Sequence, residues 1–346
     1  MRMVVAVLAV LACVEGAVLA QEEVPGQLLD GIVAVVGEEP VTRSELSEML
    51  VFQGRLLKAR TDAGLPSDEA DKEFARLQQE TLKHLVDNRL ILLAAKADGM
   101  SVGDEVRRRI EKLKASFAGD VAKLEKYLAA QGFGSLADYE RQMGEEMLRQ
   151  RMVFAQVRPR AEISDREAQA AFEERFQGKR AEAMECKGAV VSQYALEQVW
   201  FPLPEDAGPE QVLAAYGQAY ACYLRIVKGE LGGAEAPEKC AGEVVAQFGD
   251  LGEVDETKTF ERSFQDAFDG LRNESGKQCS PPFLHKDGVR ILRITGTSEE
   301  CIDDAEEVTQ LKDTLRGRLE EEKFEKVMDW WLEELRGKFR VELKAL

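Results

Sequence analysis

The chain has 346 residues, of which 45% are hydrophobic and 32% charged, and its formal net charge is -18 at pH 7. At roughly 150 residues per domain, this length predicts about two domains, each able to bury its own core. Phosphate binding depends on clustered lysine and arginine, so the acidic balance argues against a nucleic-acid partner and favours solubility.

The first residues of the chain have the features of an export signal. Arg2 supplies a positive charge, residues 3–12 are an unbroken apolar run, and small residues precede Ala20. The pattern predicts a signal peptide over residues 1–20 that is cleaved near Ala20. The alternative is a lipoprotein signal with a lipidated Cys13. No later stretch reaches about 18 apolar residues, so we expect no transmembrane helix in the mature chain.

Cysteine usage limits the possible chemistry. Without Cys13, the chain keeps Cys186, Cys222, Cys240, Cys279 and Cys301. An oxidising compartment would allow at most two bridges among them, and we favour Cys222 with Cys240, on neighbouring predicted helices. Small buried thiols are the alternative. The sequence has no C-x-x-C motif, so we expect neither thiol–disulfide chemistry nor a zinc site, and we predict no metal or cofactor.

Residues 27–176 are predicted to form a mainly helical domain. A short hairpin turning at Gly37 opens it, and capping boxes at Thr42 and Ser164 begin two of the helices that follow. A later helix has a methionine-rich apolar face that includes Met143 and Met147. These methionines are either core fillers or part of a deformable groove for extended apolar ligands.

The pattern changes after Gly178 to that of an α+β module over residues 190–298. We predict a first strand over 196–204, a helix over 209–227, a second helix ending near Phe248, a third over 260–271, and a hairpin turning at Asp287. A long amphipathic helix over 305–337 and an alternating strand over 339–343 follow.

The last strand is predicted to pair with the opening hairpin, because chain ends often lie close together. The predicted fold is therefore a mainly α multidomain protein. In it, a helical core domain is completed by residues 303–346, and the α+β module is inserted within that domain.

Several segments of the chain resemble the SurA family of periplasmic chaperones. The N-terminal ones are DGIVAVVGEEPVTRSEL, LVDNRLILLAAKADGMSV and GSLADYERQMGEEMLRQRM. The inserted module resembles a parvulin-type peptidyl-prolyl isomerase in LEQVWFPLPEDAGPEQV, in FGDLGEV with the GDLG turn of that family, and in KQCSPPFLHKDGVRILRITG. The resemblance implies a periplasmic, ATP-independent chaperone. Its partners would be unfolded outer-membrane protein precursors and the outer-membrane assembly machinery.

Active parvulins, as the resemblance implies, carry a histidine in the first strand of the module and another in the last. Gln198 and Arg290 occupy these positions here. Arginine is a permanent cation that only donates hydrogen bonds, so it cannot replace a neutral imidazole, and we expect weak or absent isomerase activity. An active isomerase is the alternative. The chain's two histidines make a catalytic triad improbable: His285 is interpreted as an exposed loop residue and His84 as a helix-surface or packing residue.

The predicted client site is an apolar groove between the helical domain and the C-terminal helix. Trp330 and Trp331 are adjacent, so a helix cannot turn both inward. One is expected to pack in the core and the other to contact clients, together with Met143 and Met147. A lipoprotein foldase is a third interpretation, and it requires Cys13 to be lipidated.

Overall fold

A computed structural model describes residues 30–344 except 241, 275 and 278. The predicted signal peptide, its cleavage near Ala20 and the lipidation of Cys13 lie outside the described residues. None of the helices in the described part of the chain is long and apolar enough to cross a membrane.

A small three-stranded sheet joins the two ends of the described chain. Strands β1 (Ile32–Val36) and β2 (Glu39–Thr42) form an antiparallel hairpin. Gly37 turns it with φ 63°, a left-handed conformation that glycine adopts without steric cost. The C-terminal strand β7 (Val341–Leu343) pairs with the other edge of β1, which gives the order β2-β1-β7. The predicted closure of the helical domain by the C-terminal strand is confirmed.

Helices make up the rest of the N-terminal region. They are α1 (Arg43–Asp62), α2 (Ser67–Ala97), α3 (Gly103–Ser116), α4 (Val121–Ala130), α5 (Leu136–Gln156), α6 (Arg158–Ala161) and α7 (Asp165–Phe176). The predicted capping boxes at Thr42 and Ser164 are both present, with Glu45 and Glu167 as their reciprocal partners. Each box satisfies backbone N–H groups that the first helical turn leaves unpaired, and this fixes where the helix begins.

The long C-terminal helix α12 (Ala305–Lys338) completes the main core. Its buried Trp331, Leu332 and Leu335 pack with apolar side chains of the small sheet and of α1, α2 and α5. Nearer its start, Leu311 and Leu315 pack instead against Phe172 and Phe176 of α7. One helix therefore contributes to two clusters and links the core to the inserted module.

The inserted module is built on a four-stranded antiparallel sheet of order β4-β3-β6-β5. Its elements are α8 (Lys179–Ala183), β3 (Ala189–Pro202), α9 (Pro209–Val227), α10 (Ala236–Lys239), β4 (Gln247–Asp255), α11 (Arg262–Asn273), β5 (Phe283–His285) and β6 (Gly288–Ile302). The mainly α fold with an inserted α+β module is thus confirmed.

Three sequence predictions within the module are wrong. The first strand begins seven residues earlier than the predicted residue 196, at Ala189, and ends at Pro202. The helix predicted to end near Phe248 is the short α10 followed by a loop and β4. The GDLG segment at 249–252 lies within β4, where it pairs with β3 around a register shift at Leu196, and is not a turn between elements.

Two disulfides brace the module. Cys186 and Cys301 join its two ends, and Cys222 of α9 is bonded to Cys240 at the end of α10. Cys279 is a buried free thiol. The long β3–β6 pairing runs out to Ala189 and Ile302, beside the first bridge, so the module joins the helical part through a cross-linked two-stranded ribbon.

Candidate functional site

Gln198 and Arg290, the two positions at which active parvulins carry histidine, lie next to each other on one face of the module's sheet. Gln198 is on the central strand β3, and Arg290 on β6 pairs with Trp200, two residues along β3. Side chains alternate along a strand, so Gln198 and Trp200 share a face. The neighbouring Leu196 packs on α11, which places this face on the α11 side of the sheet. The guanidinium of Arg290 donates a hydrogen bond from Nη1 to Oε1 of Gln198.

The Arg290 side chain is held by three partners at once. Besides Gln198, its Nη2 donates to Oδ2 of Asp287 at 2.6 Å. The guanidinium also lies 4.9 Å from the ring centroid of Trp200, in the range of a cation–π contact. The side chain is only 12% exposed. Arg290 is therefore a largely buried cation whose two Nη groups are both hydrogen-bonded within the protein, while its buried Nε has no hydrogen-bond partner.

Asp287 is the anionic centre of this cluster. Desolvation raises its pKa, but the hydrogen bonds from His285 and Arg290 and their charges lower it by more, so the net pKa lies below the ordinary value. A carboxylate stabilised in this way stays ionised at neutral pH. Asp287 thus acts as the permanent counter-ion of Arg290.

His285 is not the exposed loop residue that the sequence suggested. It ends strand β5, and its side chain is only 13% exposed. Nδ1 lies 2.6 Å from Oδ1 of Asp287, and Nε2 lies 3.1 Å from Oε2 of Glu261, the residue that precedes α11. Sequence reasoning missed this pairing because Glu261 is distant in the chain, although the short spacing from His285 to Asp287 was visible.

Two glycines set the close approaches around the cluster. A Cβ on Gly249 of β4 would lie 2.9 Å from Nε2 of Gln198, so the glycine leaves room for the Gln198 side chain in its present position against this strand. Gly288 follows the β5–β6 turn with φ +147°, and a Cβ there would lie 2.2 Å from the carbonyl oxygen of Phe201. A side chain at Gly288 would require a backbone shift, whereas one at Gly249 would require the Gln198 side chain to move.

The cluster forms a connected polar chain that runs from Gln198 through Arg290, Asp287 and His285 to Glu261. It contains a cation, two carboxylates, an amide and an imidazole, but no nucleophile beside a base. Aromatic side chains from α11 and β5 surround its α11 end and include Phe264 and Phe283. The arrangement can hold charge and recognise polar groups at its edge, and both Nη groups of Arg290 are already engaged.

The remaining predicted site residues lie on the helical part. Met143 and Met147 are partly buried and pack against Val106 and its neighbours between α3 and α5. Trp331 is 2% exposed in the main core, whereas Trp330 is 57% exposed and lies under the guanidinium of Arg160 at 5.2 Å. The opposite orientation of the two tryptophans follows the helical geometry. The methionines occupy a packed position away from both tryptophans.

A cavity of about 850 Å³ lies between the helical part and the C-terminal helix, beside α6 and α12. The predicted groove was apolar, whereas five of the eleven residues that line this cavity are charged: Arg158, Glu162, Arg318, Glu320 and Glu321. A more apolar groove of about 370 Å³ lies elsewhere, between α1 and α2 at the end of β1. The sequence signal for it is the continuous apolar run Met49 to Phe52, which is wider than one buried helix face.

No metal site is supported in the described residues. Cys186, Cys301 and Asp303 are the only described group of three or more metal-binding side chains close enough to share an ion. The two sulfur atoms are bonded to each other, so they are not available as thiolate ligands. His84 is exposed on α2, where its Nδ1 lies 3.2 Å from the amide nitrogen of Asn88.

Comparison with known proteins finds similarity to SurA chaperones, including a family match in the N-terminal part of the chain. Residues 1–153 match the family model of the SurA-like N-terminal domain. Chaperone SurA of Legionella pneumophila strain Paris is 27% identical over 228 residues, which cover 66% of this chain and 49% of that protein. Chaperone SurA of Xanthomonas campestris pv. campestris strain 8004 is 30% identical over 206 residues, covering 59% and 40% of the two chains. The chain spans about half the length, or less, of these curated relatives.

Solved structures give weaker matches. A chain from work on PEB4 and Cj1289, two SurA-like chaperones of Campylobacter jejuni, shares 14% identity and has a TM-score of 0.37, with 92% of this chain and all of that chain covered. The peptidyl-prolyl isomerase PrsA of Bacillus anthracis shares 14% identity with a TM-score of 0.27, covering 74% of this chain and 96% of that chain.

Proposed function

We propose that the protein is an ATP-independent periplasmic chaperone that binds unfolded outer-membrane protein precursors, and that its parvulin-like module does not catalyse prolyl isomerisation. The SurA-like N-terminal match and the SurA chaperones among its relatives support the chaperone role. The proposal that the module is not an isomerase rests on the hydrogen bond between Arg290 and Gln198, which occupy the two positions where active parvulins carry histidine.

The energetic requirement of isomerisation explains why this contact matters. Rotation about an X-Pro bond faces a barrier of about 20 kcal/mol, and an enzyme lowers it by binding the twisted amide more tightly than the planar one. A substrate would have to displace Gln198 or Asp287 from Arg290, which is 12% exposed. Leaving a buried charged donor without its partner costs about 1–3 kcal/mol or more, and this cost opposes catalysis.

The module's other contacts support a structural use. Tyr220 of α9 is buried against Leu57, Leu65 and Ala70 of the helical part, and Arg60 lies 4.9 Å from its ring. The module is therefore docked on α1 and α2 by an apolar contact that is independent of the Gln198 cluster. In this proposal the module supports the client-binding helical domain.

Two assays test the proposal. Stoichiometric protein should suppress the light scattering of an outer-membrane protein diluted from denaturant, and failure to do so would refute the chaperone role. The same preparation should not accelerate isomerisation of a proline-containing peptide above the uncatalysed rate. The Arg290→Ala variant is the matched control: if the wild-type protein accelerates the reaction and this variant does not, the module is an active isomerase that uses Arg290.

A further inference from the structure

The apolar groove between α1 and α2 is positively charged, although the protein as a whole is acidic. Its α1 side is one helix face, made of residues spaced three and four apart: Arg43, Leu46, Ser47, Leu50, Val51, Gly54, Arg55 and Lys58. Val33, Phe74 and Gln78 complete the lining. Three of the eleven lining residues are cations and none is a carboxylate, in a chain with 64 acidic and 46 basic residues.

The floor of the groove is apolar and partly open. Val33, Leu46 and Leu50 belong to the main core and are at most 5% exposed, so they form a fixed base. Val51 is 58% exposed and Phe74 is 37% exposed at the edges. Solvent-exposed apolar side chains grouped around a concave surface are a common feature of binding sites.

The cations have carboxylate neighbours outside the groove. Arg55 pairs with Glu210 of α9, and Lys58 pairs with Asp62; these two carboxylates line the adjoining surface between α1 and α9 and do not line the groove. Asp30 lies near Arg43 and is likewise absent from the lining. The side chains of Glu210 and Asp62 are 84% and 65% exposed. Such exposed ion pairs are weak, so a ligand carboxylate can compete for the cations.

The dimensions of the groove fit an extended chain. Arg43 and Lys58 are 15 residues apart in α1, which corresponds to about 22 Å along the helix axis. An extended polypeptide of about seven residues spans this distance. A cavity of about 370 Å³ accepts a few side chains and is too small for a folded partner.

We infer that this groove binds extended apolar segments of unfolded polypeptide that are flanked by aspartate or glutamate. The inference rests on the proposed chaperone function and specifies its client class. Apolar client side chains cover Leu46, Leu50 and Phe74, while the flanking carboxylates lie beside Arg43 at one end and beside Arg55 and Lys58 at the other. Because the whole chain carries a net charge of -18, acidic segments are repelled from most of the surface and favoured at this groove.

The test uses two fluorescent peptides with the same valine, phenylalanine and leucine core, one flanked by glutamates and the other by lysines. At low salt the full chain should bind the glutamate-flanked peptide at least about fivefold more tightly, the size expected from two or three exposed ion pairs. The preference should shrink at 1 M salt, where charges are screened. Lys58→Glu should also reduce the preference for the glutamate-flanked peptide at low salt.

Variants at Gly54 locate the site. A Cβ on Gly54 would lie 3.7 Å from Cε2 of Phe74, an ordinary contact, so α1 tolerates a side chain there. Gly54→Leu should fill the groove and lower its affinity for the glutamate-flanked peptide at least about tenfold, which corresponds to about 1.4 kcal/mol of binding free energy. Gly54→Ala is the matched control and should keep binding.

Each remaining outcome decides the inference. Equal affinity for the two peptides, no binding of either, or unchanged binding by Gly54→Leu would overturn the groove assignment. If the protein still suppresses aggregation in that case, the proposed chaperone function stands and only the client class is wrong. Peptide binding without suppression of aggregation would refute the proposed function and leave the groove assigned.

Discussion

The two disulfides should differ in how much they stabilise the protein, because they close loops of very different length. Cys186 and Cys301 are 115 residues apart, whereas Cys222 and Cys240 are 18 apart. In the chain-entropy description, the first bridge stabilises the fold by about 4.8 kcal/mol and the second by about 3.2 kcal/mol. The expected difference of about 1.6 kcal/mol is roughly a 15-fold change in the unfolding equilibrium.

The assay compares each bridge with its own reduced form. A Cys222→Ala, Cys240→Ala variant retains only the long bridge, and a Cys186→Ala, Cys301→Ala variant retains only the short one. Urea unfolding of each variant, followed by circular dichroism with and without a reductant, gives the contribution of one bridge in an unchanged sequence. A smaller loss on reducing the long bridge than on reducing the short one would refute the entropic reasoning.

Three further predictions follow from burial and charge. Trp331→Ala should lower the free energy of unfolding by about 3–5 kcal/mol, because the Trp331 side chain is only 2% exposed. Trp330 is 57% exposed, so Trp330→Ala should lower it by less than about 1 kcal/mol in the same urea titration. Equal losses would contradict the assigned orientation of α12. Burial raises the pKa of the Cys279 thiol to about 11, so only about 0.1% of it is ionised at pH 8. A thiol reagent should therefore modify Cys279 only after the protein unfolds. Rapid labelling of the folded protein would show that Cys279 is accessible to solvent. The hydroxyl and N–H of Ser164, and then Lys323, lower the pKa of Glu167 from 4.5 to about 2. The ionised carboxylate therefore stabilises the folded protein fully above pH 4.5, and this stabilisation is lost as the pH falls towards 2. Glu167→Gln should flatten the plot of unfolding free energy against pH in that range, and parallel plots for variant and wild type would exclude the capping box as a contributor.

Local signals allowed most of the helical part to be predicted. The reciprocal contacts of Thr42 with Glu45 and of Ser164 with Glu167 involve residues three apart, so the sequence carries the whole motif. The turn at Gly37 is equally local. The pairing of β7 with β1 is not local, but the alternation of residues 339–343 and the tendency of chain ends to lie close together were enough to predict it.

Long-range contacts explain the errors within the module. The predicted helix ending near Phe248 is replaced by a loop whose backbone is held by Gln218 of α9. The Gln218 amide donates to the carbonyls of Cys240 and Val244 at 2.8 and 2.7 Å and accepts from the Val244 N–H at 3.1 Å. These bonds satisfy backbone groups that a helix would otherwise pair within itself. Nothing in the sequence of the loop indicates a partner more than twenty residues away.

The residues of the candidate site could be predicted from the sequence, but the contacts between them could not. Gln198 and Arg290 could be located by resemblance, but their mutual hydrogen bond depends on the strand register of β3 and β6. The burial of His285 depends on Glu261 at the start of α11. The groove on α1 was missed because Val33, Leu46 and Leu50 were treated as ordinary core residues, and the apolar run Met49 to Phe52, which is wider than one buried helix face, was not used as a signal.

Glu256 determines how the module's role can be tested. Its carboxylate accepts hydrogen bonds from Arg175 of α7 at 3.1 Å and from the Ser192 N–H at 2.9 Å, while its main-chain carbonyl accepts from Arg272 of α11 and from Arg318 of α12. Deletion of the module would leave the guanidiniums of Arg175 and Arg318 without these acceptors, and such losses are costly for partly buried charges. A deletion would therefore perturb α7 and α12 as well as remove the Gln198 cluster. Point substitutions such as Arg290→Ala separate the two effects, because they change the cluster and leave the Glu256 contacts in place.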